Sequence, residues 1–273
     1  MSHKSTVTNE VYPQFASQGS HRNSGYSTLY MRKYKSELIE FDDMDIETVA
    51  GEVHKFSKTE GFDYVVTPNI DHLARLSDSS HSDSFAQTYK EAALTICDSM
   101  VFKLLSKVKG LHIENVVPGS TLTHYLFTNR ITESDQVLII GCDEQEICAV
   151  EERFRHLNID HISPSMGFID KPEELDEIIH KVEKLRANYI FLAVGSPQQE
   201  RLAAHIKEHA KVGAVGLCIG GSIQFLAGSR TRAPRFVQKL ALEWMFRLLQ
   251  EPKRLASRYA KNLIAIPKIF RKL

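Results

Sequence analysis

Residues 189–220 read YIFLAVGSPQQERLAAHIKEHAKVGAVGLCIG. Two continuous apolar runs, YIFLAVG and AVGLCIG, bracket a helical segment, so the stretch predicts strand, helix, strand. A strand that is apolar at every position needs cover on both faces, which is the condition of a parallel sheet sandwiched between helices. Working outward, QVLIIGC (136–142) and DHIS (160–163) predict further strands, and ELDEIIHKVEKLRA (174–187) predicts a helix. Upstream, SELIEFDD (36–43), DYVVTPN (63–69) and ALTICD (93–98) read as strands, with helices over 45–59, 72–79, 84–92 and 99–110. Such alternation implies an α/β fold, a Rossmann-like and mainly parallel sheet flanked by helices. Beyond Ala233 the alternation stops and two helical stretches follow, 234–250 and 251–270.

A chain of 273 residues is long enough to bury one substantial core. Residues 1–34 are rich in Ser, His, Asn and Gly without apolar periodicity and predict a disordered leader. The core is expected over 35–246. From Arg247 to Leu273 eight Lys or Arg face one acid, Glu251, although the whole chain is neutral. This tail is expected to be a basic amphipathic appendage that associates with membrane: Leu255, Tyr259, Ile266 and Ile269 share one helical side, with Arg254, Arg258, Lys261 and Lys268 nearby. The alternative is a helix packed on its own core with solvated lysines. Pro267 is expected to kink or end that helix.

No apolar run approaches the roughly 18 residues of a spanning helix, and the start lacks the order of a signal peptide. Cys97, Cys142, Cys148 and Cys218 form no CxxC pair, which fits a reducing cytoplasm. Metal binding is not expected, because His205 and His209 lack the HExxH order and a third ligand, and no DxD pair ends a strand. Nucleic acid is not expected either, since no reader motif accompanies the basic tail.

In open parallel sheets, ligands gather beyond the carboxyl ends of the strands. That rule selects Thr67, Asn69 and Asp71; Asp98; Gly119 and Ser120; Gly141; Gly195, Gln199 and Glu200; and Gly220 with Gly221. Glycines just before a helix start let the backbone approach an anion such as a diphosphate, though taken alone they read more readily as tight turns. GxGxxG and Walker patterns are absent, which argues against dinucleotide chemistry, including a Rossmann-like oxidoreductase, and against ordinary nucleotide hydrolysis. Asp98 either accepts a proton from an attacking hydroxyl or simply caps the next helix, and Asp71 competes with it. Ser196, Pro197 and Gln199 match a capping box with proline at the first helical position.

Several strings together resemble the WecG/TagA/CpsF proteins, glycosyltransferase family 26, from about Ser36 to Phe270. They are VVTPNIDHL (65–73), ICD ending at Asp98, VPGS (117–120), IIGC (139–142), AVGSPQQE (193–200), GGSIQFLAG (220–228), RAP (232–234) and LEWMFRLLQEPKRLASRY (242–259). The resemblance implies an inverting, metal-independent transferase without a cofactor. It would carry N-acetylmannosamine, its uronic acid, glucose or a similar sugar from a UDP-sugar to an undecaprenyl-diphosphate-linked acceptor, at the inner face of the membrane. It also implies Asp98 as general base, Thr67, Asn69 and Gln199 in the pocket, and Arg247, Arg254 and Arg258 closing over the donor diphosphate. Ser99, Val116 and Gln224 depart from the family pattern, where glycine, arginine and aspartate are usual. They admit an alternative, a non-catalytic UDP-sugar-binding or scaffold subunit. A homo-oligomer is compatible with the sequence.

Overall fold

The computed structural model describes residues 6–10, 31–78, 82–231, 233–234, 237 and 242–273. Six parallel strands form the main sheet: β4 (Phe62–Val66), β5 (Leu94–Thr95), β6 (Gln136–Ile140), β7 (Asn158–Ile162), β8 (Tyr189–Leu192) and β9 (Ala214–Cys218), in the order β5-β4-β9-β8-β6-β7. The sheet accounts for the continuous apolar runs. Tyr64, Leu138, Ile190 and Cys218 point into one core layer, while Val65, Ile139, Phe191 and Leu217 point into the other. Period-two alternation thus divides each run between two apolar faces.

One layer is closed by α2 (Ile70–Ser77), α3 (Ser82–Lys90), α4 (Met100–Val108), α7 (Pro172–Leu185), α8 (Gln198–His209) and α11 (Pro252–Lys272). Behind the other lie α1 (Ile46–Phe56), α5 (Gly119–Asn129), α6 (Glu144–Arg153) and α9 (Ser222–Ala227). Helix α10 (Glu243–Gln250) precedes α11. The predicted α/β architecture is therefore present, and β4 and β6 send their connections outward in opposite directions, to β5 and β7.

Four expectations change. SELIEFDD supplies only β3 (Glu40–Asp43), and β3 joins a separate antiparallel sheet. Its acids serve the main sheet differently: Asp42 accepts the Thr95 N–H at 2.8 Å, and Asp43 accepts those of Glu114 and Asn115, both at 2.8 Å. The leader expected over residues 1–34 falls largely outside the described residues, but within it β1 (Thr6–Glu10) and β2 (Met31–Lys35) pair antiparallel, and β2 pairs with β3. Backbone pairing of this kind leaves little trace in composition. Helix α5 was not anticipated. Finally, α11 runs through Pro267 to Lys272, because the turns beyond it are held by Ile269 and Leu273, both buried in the core.

The tail also shows which face it uses. Leu255 and Ile269 are buried, and Tyr259 and Ile266 line a cavity, so the apolar side expected to meet membrane is packed on the protein itself. Ile264, on the opposite side, is 79% exposed, and Leu263, at the margin of the cavity, is 69% exposed.

Candidate functional site

The loops after β4, β5, β6, β8 and β9 converge at one edge of the sheet, and α10 and α11 roof them over to enclose a cavity of about 820 Å³. Thr67, Asn69, Asp71, Asp98, Ser120, Gly195, Gln199, Gly220, Gly221, Arg247, Arg254 and Arg258 all line it. Residues separated by most of the chain are thus brought together as expected.

Asp98 follows β5, its N–H held by the Pro68 carbonyl at 3.1 Å. Its carboxylate does not cap α4. Ser99 does, accepting the Phe102 N–H at 3.1 Å. Asp98 Oδ2 instead accepts the N–H of Gly119, the first residue of α5, at 3.3 Å. Burial pushes the Asp98 carboxyl up to about 7; Arg247 pulls it down, Glu243 pushes it up and the Gly119 N–H pulls it down again. Desolvation by the surrounding protein is the largest of these influences. A group poised near neutrality can both take and hold a proton at working pH.

Three of the expected site residues do not line the cavity. Gly119 acts one step back, through the N–H it gives Asp98, and a Cβ there would lie 2.8 Å from Thr67 Oγ1. Gly141 has a φ of +104°, and a Cβ would meet the Ala193 backbone at 2.8 Å, so its smallness lets the ends of β6 and β8 approach. Glu200 is buried behind Gln199.

The capping box expected at Ser196 and Gln199 is absent. Pro197 precedes α8 without any side-chain cap, and Gln199 turns inward, its Oε1 accepting the Gly220 N–H at 2.7 Å. Asn69 does cap, accepting the Asp71 N–H at 3.0 Å while its edge faces the cavity. Asp71 is committed to cations: Arg75 and Arg258 meet its Oδ2 at 2.7 and 2.6 Å.

The cavity lining is rich in arginine, and among the described residues each of these cations has a carboxylate partner. Arg247 pairs with Glu243 at 2.8 Å, Arg230 with Glu251 at 3.1 Å, Arg254 with Glu251, and Arg258 with Asp71. Arg247 also lies over the Phe225 ring, 5.3 Å from its centroid. Hydrogen bonding from Arg254 holds the Glu251 carboxyl below the usual carboxylate range.

Arg230, Glu243, Trp244 and Tyr259 line the cavity without having been anticipated. Arg230 lies two residues beyond the GGSIQFLAG string, and its Nη1 lies 3.0 Å from where a Cβ on Gly221 would stand. A cation close after a glycine turn was the available signal. Trp244 meets Tyr259 edge to face at 6.0 Å, joining α10 to α11, a pairing that no local pattern announces.

Parallel-sheet loops, a carboxyl poised near neutral and a wall of arginines make a pocket suited to transfer from an anionic donor. Residues 37–273 match the profile of the Glycosyl transferase WecG/TagA/CpsF family, and the chain belongs to this family of glycosyltransferases of cell-surface polysaccharide synthesis.

Proposed function

We propose that the protein is an inverting, metal-independent glycosyltransferase that moves a hexose-type sugar from a UDP-sugar to a polyprenyl-diphosphate-linked acceptor. The observation that carries this reading is the placement of Asp98, whose carboxyl sits near 7, in the same cavity as Gly195, Gly220, Gly221 and four arginines. In this reading the donor diphosphate rests against the glycine turns. Asp98 takes the proton of the acceptor hydroxyl while that oxygen attacks the anomeric carbon from the face opposite the diphosphate. The anomeric C–O bond breaks, and negative charge grows on the departing UDP. Arg230, Arg247, Arg254 and Arg258 are fixed cations where that charge develops, and such preorganised groups favour the transition state over the ground state. Arginine suits a diphosphate because its planar fork bonds two oxygens at once.

Ser99, Val116 and Gln224, the positions that depart from the family pattern, all line the cavity and are read as setting sugar choice. Contact with the inner face of the membrane is proposed through the outer side of the tail. There Leu249 and Ile264 are exposed at 75% and 79% beside the exposed Lys253, Lys261 and Arg271. Exposed apolar residues among cations suit an anionic leaflet. Among the described residues no helix is long and apolar enough to cross a membrane.

The deciding experiment offers the full chain a panel of UDP-sugars with synthetic polyprenyl-diphosphate sugars in liposomes and reads product masses. A product of acceptor plus one sugar, absent with Asp98→Asn, is expected. UDP binding without any product across the panel would point to a binding subunit instead.

A further inference from the structure

Glu200 touches no ligand space, yet its burial asks for an explanation. It is 1% exposed, and two donors converge on its Oε1, the Gln199 side-chain amide at 2.8 Å and the Tyr89 hydroxyl at 3.4 Å, with His72 Nε2 3.6 Å away. Among the described residues its Oε2 has no hydrogen-bond partner. An acid in the first turn of α8 would complement the helix dipole equally well from the surface. A packed apolar side chain would fill the site without the desolvation that a buried carboxylate incurs.

We propose that Glu200 is a positioning residue that sets the orientation of the Gln199 amide and, through it, the Gly220 turn; this rests on reading that turn as the seat of the donor diphosphate. The two ends of a glutamine amide are nearly identical in shape, so packing cannot choose between them. Glu200 Oε1 accepts, and Gln199 presents Nε2 to it at 2.8 Å. That leaves Gln199 Oε1 to receive the Gly220 N–H at 2.7 Å. With the amide reversed, two donors would face each other at Gly220 and two acceptors at Glu200. The same carboxylate borders a second wall of the cavity. His72 Nε2 lies 3.6 Å from it, while His72 Nδ1 meets the Asn69 N–H at 3.0 Å and Asn69 Oδ1 at 2.9 Å. Burial draws His72 below the ordinary imidazole range, and the facing Glu200 pulls it up. Glu200 Oε1 thus stands next to the groups that contact both Asn69 and Gly220.

The test compares Glu200→Gln, which retains an accepting oxygen, with Glu200→Leu, which has none, in the full chain. Backbone and side-chain amide resonances of Gly220 and Gln199 are followed with UDP affinity and melting temperature. Glu200→Leu is expected to displace the Gly220 resonance and weaken UDP binding about tenfold, while Glu200→Gln, whose amide can offer either end to Gln199, falls between Glu200→Leu and the parent protein. Equal effects of the two variants, or an unmoved Gly220 resonance in Glu200→Leu, overturn the proposal. Should the leucine variant fail to fold, the parent chain decides: a through-hydrogen-bond coupling between the Gly220 N–H and the Gln199 side-chain carbonyl is expected, and its absence overturns the proposal. Failure of the parent chain to bind UDP would instead refute the reading of the cavity, and the Gly220 resonance would still judge the positioning role.

Discussion

Arg258 donates from Nη2 to Asp71 Oδ2 at 2.6 Å, so a side chain of the last helix is tied to the first turn of α2. Arg75 shares that oxygen at 2.7 Å and reaches Ser196 Oγ at 3.0 Å, which carries the link on to the loop after β8. The roof of the cavity is therefore bonded to its walls through one carboxylate. Burial alone would raise the Asp71 carboxyl, but Arg258 and Arg75 outweigh it and hold it below the ordinary value of 3.8.

Cutting this link with Asp71→Asn or Arg258→Ala should cost about 1–3 kcal/mol of stability, since each leaves a part-buried charged partner unsatisfied. Hydrogen exchange should rise across α11. Because the folded-state value is depressed, the stabilisation is present above pH 3.8 and is lost as pH falls through the folded value. Unchanged exchange in both variants would show that apolar packing alone holds the tail.

Asp98 carries the opposite sign. Its carboxyl rises from 3.8 to about 7 on folding, so the folded chain binds the extra proton and stability falls as pH climbs through that window. Asp98→Asn should accordingly be inactive and yet, at pH 8, more stable than the parent by on the order of 2 kcal/mol. Transfer by the parent should rise with pH along a single-proton limb centred near 7. A flat profile, or an asparagine variant that melts earlier at pH 8, would remove the poised carboxyl from the mechanism.

Gly119→Ala places a Cβ 2.8 Å from Thr67 Oγ1 and disturbs the N–H that supports Asp98. Overpacking at such a contact typically costs about 1–3 kcal/mol. The expected signature is a drop in the rate of transfer larger than any change in UDP affinity, with the pH limb displaced.

Arg230 stands on the core rather than on the tail, so Arg230→Ala should weaken UDP binding about tenfold, the loss expected for one charge-assisted contact, while leaving α11 docked. Titration calorimetry with UDP and with inorganic pyrophosphate reads this directly. Equal weakening for both would place the contact on the phosphates.

Leu249 and Ile264 face solvent, so changing both to Asp should reduce binding to anionic vesicles several-fold without lowering the melting temperature. Retained vesicle binding would move the membrane contact elsewhere.

The parallel sheet was legible because a strand buried on both faces must be apolar throughout, as YIFL at 189–192 and AVGLC at 214–218 are. The loop rule then found Asp98, Gln199 and Gly220, because ligand sites in such sheets follow from topology. Roles within the site were harder to read. Asp98 read equally as a proton acceptor and as the α4 cap, and Gln199 matched a capping box, because capping is a short-range preference that local sequence satisfies in several ways.

By itself the sequence determined the layered α/β core, the strands of the main sheet, the loops that bear the site and the unequal distribution of charge along the chain. These rest on periodicity and composition, which are local quantities. Tertiary structure alone decided that the apolar side of the tail faces inward, that Asp71 is spent on Arg75 and Arg258, that Glu200 lies behind the cavity and that Arg230 lies on its wall. Each of those outcomes depends on which distant groups meet within a few ångströms, and local pattern holds no record of such meetings.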